Sequence, residues 1–378
     1  MRILIISPFF YPHKGGSQKY AEELHYHLMK SDPSVKVDIL TYNTDNSKQM
    51  EKYRNFTIYR IPCIQILKGQ FAIPNYLELI KTLGKLKKNN YNFVNSHTRF
   101  FESAFWTPFA AKYLNTKSVL TDHCADHPTH KLSMVTFISR LIDKNIVPFF
   151  MKKYDFVIVT NTSTKKFLKK LGINNSQLIY GGVDIDYFKP AKAGLRKISS
   201  KNFSRNDIVI SFVGRMIQSK GPHLLIEAAK KITKENSNTY FIFAGDGPEL
   251  KNLQKERSNQ IIFLGSLNKD KVADLMQKSD ILVHPSLHNE GFPNVLLEAA
   301  SSSCAIIATP MGGTLEIITE KTGIIIRPDS NNIYLELKKL VNNPKKRIEL
   351  QKAARNWIKK NYSWKNIAKE YKCFIKTI

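Results

Sequence analysis

A buried strand, a glycine turn, an amphipathic helix and a second strand open this chain, and the same alternation starts again past its middle. Met1-Arg-Ile-Leu-Ile-Ile-Ser-Pro-Phe-Phe10 is apolar on both faces, as a strand inside a parallel sheet must be. The turn Tyr11–Ser17 carries Gly15-Gly16. From Gln18 to Met29, Tyr20, Ala21, Leu24 and Leu28 recur at helical spacing, while Lys19, Glu22 and Glu23 fall on the other face. Val35–Leu40 is the next strand, which completes a βαβ unit. Phe93–Asn95, Ser118–Thr121 and Phe156–Thr160 extend the sheet. The alternation restarts with strands predicted at Asp207–Val213, Tyr240–Phe243, Ile261–Leu264, Ile281–His284, Ala305–Ala308 and Gly323–Ile326, and a helix from His223 to Thr233. Ile179–Pro190, rich in turn formers, separates the two series.

The fold class that follows is α/β, with two Rossmann-like domains facing across a cleft. The length of 378 residues suits two cores better than one. The boundaries expected are 1–185 and 186–355, followed by a terminal segment 356–378.

Fifty-eight Lys and Arg against 31 Asp and Glu give a formal charge of +27, spread almost equally before and after Pro190. No appended basic arm explains it. The excess fits either a solubilising bias or attraction to nucleic acid, an anionic membrane or phosphate-bearing substrates. Cys63, Cys124, Cys304 and Cys373 are too scattered for a zinc site or a disulfide frame, so free thiols of a reducing compartment are expected. Ile3–Phe10 is too short for a signal peptide or a span. A cytoplasmic protein, soluble or peripheral at the inner membrane face, is the expectation.

The densest chemistry lies in Asn289-Glu290-Gly291-Phe292-Pro293-Asn294-Val-Leu-Leu-Glu298-Ala-Ala300, after the strand Ile281–His284. Gly291 lets a ligand approach the backbone, and Pro293 suits a first helical turn. The unpaired amides of that turn, with the helix dipole, suit a diphosphate. Glu290 and Glu298 would stand roughly 11 Å apart by helix rise, the reach of a donor laid over a helix start. Glu298 sits inside an apolar run, where a paired or ligand-bound carboxylate fits better than a solvated one. A second constellation is Gly214-Arg215-Met-Ile-Gln-Ser-Lys220-Gly221. Here two cations stand where strand ends meet a cleft, able to neutralise a diphosphate.

Several of these motifs, in order and nearly along the whole chain, resemble the GT-B fold glycosyltransferases of family 4, the large retaining group. The motifs are Gly15-Gly16, Thr121-Asp-His123, Tyr180-Gly-Gly-Val-Asp184 with Phe188-Lys-Pro190, Gly214-Arg215 with Lys220-Gly221, and Ala244-Gly-Asp-Gly-Pro248. Pro285-Ser, Glu290-Gly-Phe-Pro with Glu298-Ala, Gly312-Gly-Thr-Leu-Glu316, Thr322-Gly and Tyr362-Ser-Trp364 continue the series. The resemblance implies a metal-independent transfer of a hexose-type sugar from a UDP- or GDP-sugar to a glycan or lipid-linked acceptor, with retention and no cofactor. It implies that Arg215 and Lys220 hold the diphosphate with the amides of the segment Gly291–Asn294, those of Gly291, Phe292 and Asn294, with Pro293 lining the site between them. Glu298 would meet the ribose, Glu290 the transferred sugar, and His123 the sugar near the reacting carbon. Gly16 would leave room for the diphosphate. The final helix would return to the first domain. Ser303 and Ala305 stand where the family usually has glycine and proline, and Asn161 where it often has serine.

Asp184-Ile-Asp186 is spelled like a metal-binding DxD but belongs to the turn between the two series, so no metal is expected. Gly15-Gly16 lacks the spacing of a dinucleotide fingerprint. His97, His127 and His130 have no ligand spacing, and ordinary surface placement or acceptor contact are both open. The stretches Leu77–Lys88 and Phe137–Lys153 are basic and amphipathic, which fits either core packing or an anionic lipid surface. The competing classes are a nucleotide-sugar epimerase or phosphorylase on the same fold, and a basic nucleic-acid-binding protein. The last explains the charge but not the motifs, so no nucleic acid is expected as partner.

Overall fold

The computed structural model describes residues 1–13, 15–66, 69, 71–127, 133–191, 196–198, 201–288 and 291–378, with only the backbone of 133 and 135. The chain divides into two α/β units. One is Met1–Gly181 together with Trp364–Ile378, and the other is Gly182–Ser363.

The sheet of the first unit runs, edge to edge, through Gln177–Leu178, Phe156–Val159, Lys117–Asp122, Phe93–His97, Arg2–Ile6, Lys36–Tyr42, Phe56–Ile61 and Met50–Tyr53. All neighbours are parallel except the last pair, a hairpin. Side chains alternate across it, as strand geometry requires. Ile3 and Ile5 face Tyr20, Leu24 and Leu28 of the helix Gly16–Ser31 and Trp364, Ile367, Ala368, Tyr371 and Ile375 of the terminal helix. Leu4 and Ile6 face Leu79, Leu83 and Leu86 of the helix Tyr76–Leu86 and Ala110 and Ala111 of Ser103–Tyr113. The terminal helix therefore does pack on the first unit's sheet. The crossing falls at Trp364, however, because the preceding helix Pro344–Asn361 buries Leu350 against the second unit's core.

The second sheet is parallel throughout, in the order Ile261–Gly265, Thr239–Ala244, Ile208–Val213, Ile281–His284, Ala305–Ala308, Ile324–Ile325. Numbered along the chain within this unit, that is 3-2-1-4-5-6, the Rossmann order. Ile208, Ile210 and Phe212 pack under the helices Pro222–Glu235 and Ser330–Asn342. Val209, Ile242 and Ala244 pack against Leu275 and a small hairpin, Arg196–Ile198 with Lys201–Phe203.

In each sheet the winding reverses between two neighbouring strands. These are Arg2–Ile6 and Phe93–His97 in the first unit, and Ile208–Val213 and Ile281–His284 in the second. A crevice opens beyond the carboxyl ends of such a pair, and ligands of open α/β sheets bind there. The segment Phe137–Lys153 is not one helix. It is divided between Ser133–Asn145 and Val147–Met151, with Pro148 in the first turn of the second.

Candidate functional site

The segments that leave the second unit's reversal point are held against each other by backbone. Beyond Val213, the chain turns through Gly214 and Arg215, makes one tight turn at Gln218–Lys220 and enters the helix at Pro222. Gly221 is left-handed, with φ +69, and a Cβ there would lie 2.2 Å from the Pro285 carbonyl oxygen. Only glycine allows that approach. Leu287 N–H donates to the Ser219 carbonyl at 2.8 Å, and the Thr309 hydroxyl to the Ser286 carbonyl at 2.6 Å. The Arg215–Lys220 loop and the loop after Ile281–His284 thus form one rigid lip. On it Arg215 is exposed and Lys220 half-buried.

The helix after that lip is Asn294–Ser301, with Pro293 as its N-cap. Pro293 thus stands just before the first turn rather than inside it. Proline offers no side-chain cap, so the first amides of the helix have no capping oxygen from that residue. Gly291 and Phe292 lead into it half-buried, and the Gly291 carbonyl accepts from Gly313 N–H at 3.1 Å. A Cβ on Gly313 would stand 2.5 Å from that same oxygen, so the glycine pair Gly312-Gly313 keeps this loop close. Glu298, on the second turn of the helix, is half-buried. Its charge reaches Tyr187, whose hydroxyl bonds Asp270 and whose pKa is pushed up to about 12, first by burial and then by Asp270. Glu290 lies outside the described residues, as does Asn289.

Beside Arg215 a cavity of about 270 Å³ is lined by Val213, Gly214, Ala244, Gly245, Asp246, Ser266, Leu267 and Val272. Its floor is a crossing of two backbones. Gly214 N–H donates to Ala244 at 3.0 Å and Met216 N–H to Asp246 at 2.8 Å. Gly245, at φ +143, could carry no Cβ, since one would fall 1.8 Å from the Gly214 oxygen. No role for Asp246, Ser266 or Leu267 was legible in the sequence. Ala244-Gly-Asp-Gly-Pro248 entered only as one motif of the family resemblance, with no cavity attached to it.

In the first unit, Gly16 opens the helix Gly16–Ser31, and a Cβ on it would meet nothing within 4 Å. Neither packing nor backbone conformation requires glycine there. His123 follows the strand Lys117–Asp122 directly. Its Nε2 lies 3.2 Å from Nδ1 of His97, the two rings stack at 5.5 Å, and the Tyr20 ring meets His123 edge-on at 4.9 Å. Tyr20 is itself anchored by its hydroxyl, which donates to the Ile179 carbonyl at 3.1 Å. Removal from water pushes the His123 pKa down to about 4, with Asp122 pulling the other way, so the ring is neutral at neutral pH. His97 is buried, 1% exposed, and is held far below the usual histidine range by burial and by its neighbours His123 and His25. Surface placement, one of the two openings left for His97, does not hold. Nδ1 of His127 lies 2.5 Å from Oδ2 of Asp143, and His130 lies outside the described residues. Among the described residues no group of three His, Cys, Asp or Glu side chains is placed to hold a metal ion.

Two family models match the chain. "Glycosyltransferase Family 4" matches residues 14–187, and "Glycosyl transferases group 1" matches 196–357. This chain belongs to the family 4 glycosyltransferases. An uncharacterized glycosyltransferase of Methanocaldococcus jannaschii is 28% identical over 98% of the chain and 97% of its own length. The gpi3 subunit of the phosphatidylinositol N-acetylglucosaminyltransferase of Schizosaccharomyces pombe is 24% identical, covering 96% of the chain and 78% of the relative. Anabaena HepE, solved in complex with UDP, matches all of both chains with a TM-score of 0.76 at 18% identity. The family 4 glycosyltransferase described here thus has the GT-B architecture of two doubly wound units.

Proposed function

We propose that the protein is a retaining, metal-independent glycosyltransferase that takes a hexose-type sugar from a UDP- or GDP-sugar to a glycan or lipid-linked acceptor. The observation that carries this is the lip at the second unit's reversal point. There the loop that carries Arg215 and Lys220 is held against the loop after Ile281–His284 by backbone contacts that tolerate no side chain at Gly221, and the Asn294–Ser301 helix follows that second loop in the chain. Two cations and a helix start are what a departing nucleoside diphosphate needs. The cavity beside Arg215 is of a size for a nucleobase, and Glu298, half-buried on the second turn of the Asn294–Ser301 helix, is the carboxylate proposed for the ribose. HepE, of the same fold, was solved with UDP and with UDP and glucose.

Retention is read as same-face attack, in which the leaving phosphate accepts the acceptor's proton. His123 supports that reading, because a ring with its pKa near 4 is a poor base at neutral pH. It serves instead as a neutral, electron-rich neighbour to a sugar ring that gains positive charge, with Glu290 supplying the negative charge. Gly16 borders open space that a diphosphate could use.

A lipid-linked acceptor is supported by the helix Ser133–Asn145. Met134, Phe137, Ile138, Leu141 and Ile142 are exposed there, with Phe149 following, and Arg140, Lys144, Lys152 and Lys153 are exposed around them. Apolar residues rimmed by cations suit the surface of an anionic bilayer. Among the described residues no helix is long and apolar enough to cross a membrane. The relatives named for phosphatidylinositol N-acetylglucosaminyl transfer agree with such an acceptor.

The test is thermal stabilisation by a panel of UDP-, GDP- and ADP-sugars, repeated with Arg215→Ala and Lys220→Ala. One donor class should raise the melting temperature, and each variant should weaken binding by about 1.5–3 kcal/mol, the range of a charge-assisted hydrogen bond. No stabilisation by any donor, or unchanged affinity in both variants, would sink the assignment.

A further inference from the structure

Just beyond the first unit's strand Phe93–His97, a charged side chain is buried as deeply as the apolar core. Arg99 is 1% exposed, and its guanidinium is fully enclosed. Every edge of the fork is used. Nε donates to Asp143 Oδ1 at 2.9 Å and one terminal nitrogen to Asp122 Oδ2 at 2.5 Å and the Cys124 carbonyl at 2.7 Å. The other donates to the Asp126 carbonyl at 2.8 Å and, more weakly, to Asp143 Oδ2 at 3.4 Å. The rings of Phe100 and Phe167 lie 4.1 and 4.8 Å from its central carbon.

What this arginine holds is specific. Asp122 is the last residue of its strand, and Cys124 and Asp126 are the residues that carry the chain away from His123. Asp143 belongs to the helix Ser133–Asn145, the one with the exposed apolar face, and His127 closes the ring on the same carboxylate at 2.5 Å. A loop of this kind has few backbone bonds of its own. The guanidinium supplies the donors that its carbonyls lack, in a planar fork that an ammonium cannot copy.

We propose that Arg99 is a positioning residue for His123: by clamping Asp122, the Cys124 and Asp126 carbonyls and Asp143, it fixes the 123–127 loop so that the His123 ring stays between His97 and Tyr20. This rests on the reading of His123 as a neighbour of the transferred sugar, but the clamp itself can be tested without it. The two carboxylates lie 21 residues apart along the chain, so the same side chain also ties the loop to the helix with the exposed apolar face. Burying a charge with two counter-charges gives little net stability compared with apolar packing, so geometry is the better account of why the group is there.

The experiment uses the full chain, with wild type, Arg99→Lys and Asp143→Asn compared. Asp143→Asn keeps shape and half the hydrogen bonds, so it remains informative if Arg99→Lys does not fold. The first readout is the titration of His123 by NMR of histidine-labelled protein. A released loop lets water reach the ring, so its pKa climbs from about 4 toward the ordinary histidine value in Arg99→Lys, and part of the way in Asp143→Asn. A lower melting temperature with the His123 titration unchanged overturns the proposal, because it makes Arg99 a stabilising residue only. The second readout is hydrolysis of the UDP- or GDP-sugar that most stabilises the wild type, with the affinity for UDP or GDP alone. The rate constant should fall by about tenfold or more, as displacement of a group near the reacting atoms does, while nucleotide affinity stays within about twofold. If the His123 titration moves and the rate does not, the clamp stands and the reading of His123 as a neighbour of the sugar falls.

Discussion

Gly221→Ala and Gly265→Ala form a pair that separates backbone strain from crowding at the lip. Both glycines have φ +69, and both belong to the second unit. A left-handed alanine costs roughly 1–2 kcal/mol, of which about 0.4–1 kcal/mol is returned because alanine restricts the unfolded chain. Gly265→Ala should lose no more than that, since its Cβ would meet nothing within 4 Å. Gly221→Ala carries the same strain and a Cβ at 2.2 Å from the Pro285 oxygen. Reaching ordinary contact takes a shift of about 1 Å, enough to break the Leu287–Ser219 hydrogen bond, worth about 1 kcal/mol, and to loosen the packing around it. The difference between the variants should be about 1–3 kcal/mol. For a unit of this size that is roughly 2–12 °C in melting temperature. Because the loop that carries Arg215 and Lys220 shifts against the loop after Ile281–His284, affinity for UDP or GDP should fall in Gly221→Ala and hold in Gly265→Ala. Calorimetric melting and isothermal titration on both variants decide it. Equal melting temperatures and equal affinities would mean that the close approach of Gly221 to Pro285 neither builds the lip nor positions its cations.

Glu290→Gln should slow turnover by at least about tenfold, roughly 1.4 kcal/mol of barrier, with nucleoside diphosphate affinity unchanged, while Glu298→Gln weakens nucleotide binding first; steady-state kinetics beside titration calorimetry separates the two. Activity should survive EDTA, since two cations and a helix start neutralise the diphosphate; loss in EDTA restored by magnesium or manganese would refute it. Stability should fall as pH drops from about 6.5 toward 4. His25, fully buried, bonds its Nδ1 to the Ala21 carbonyl at 2.8 Å, and burial lowers its pKa to about 4. It is neutral in the fold but protonated once unfolded, so the unfolded state takes up the proton and about 3 kcal/mol is lost between pH 7 and pH 4. Thermal melts of His25→Gln should show a flatter pH profile than the wild type, and identical profiles would remove His25 from the account.

The legible part of this molecule is the part written in apolar periodicity. Ile3 and Ile5 against Leu4 and Ile6 announce a strand covered on both faces, and the structure covers both. The second unit's strands were legible from the alternation, but their 3-2-1-4-5-6 order was not, because right-handed crossovers allow other doubly wound orders as well. The place of Arg215 and Lys220 after a strand was legible too, but not the close approach of Gly221 to Pro285, which joins segments 64 positions apart. The edge hairpins were not: Met50–Tyr53 alternates exposed and half-buried residues and carries two charges, so nothing in it resembles a buried strand. The terminal return begins at Trp364 rather than at 356, a difference hidden in the sequence because Pro344–Asn361 and Trp364–Ile375 are both amphipathic. The pattern of a helix does not say which core receives its apolar face.

Buried polar structure escapes sequence analysis for a deeper reason. An isolated arginine in His97-Thr-Arg99-Phe is spelled like any surface cation. Its burial is permitted only by Asp122 and Asp143, 23 and 44 positions away, and by two carbonyls that exist as acceptors only because the loop runs past them. His97 is the same case, buried because His123 and Tyr20 arrive beside it from other strands and helices. Apolar burial is favourable at nearly every interior site, so it can be encoded residue by residue. A charge is tolerated inside only where several partners converge, so its place is a property of the assembled fold. The motifs of the second unit are local runs and could be found in the sequence. The groups that hold His123 act through side-chain partnership, and only the structure brings them onto one loop.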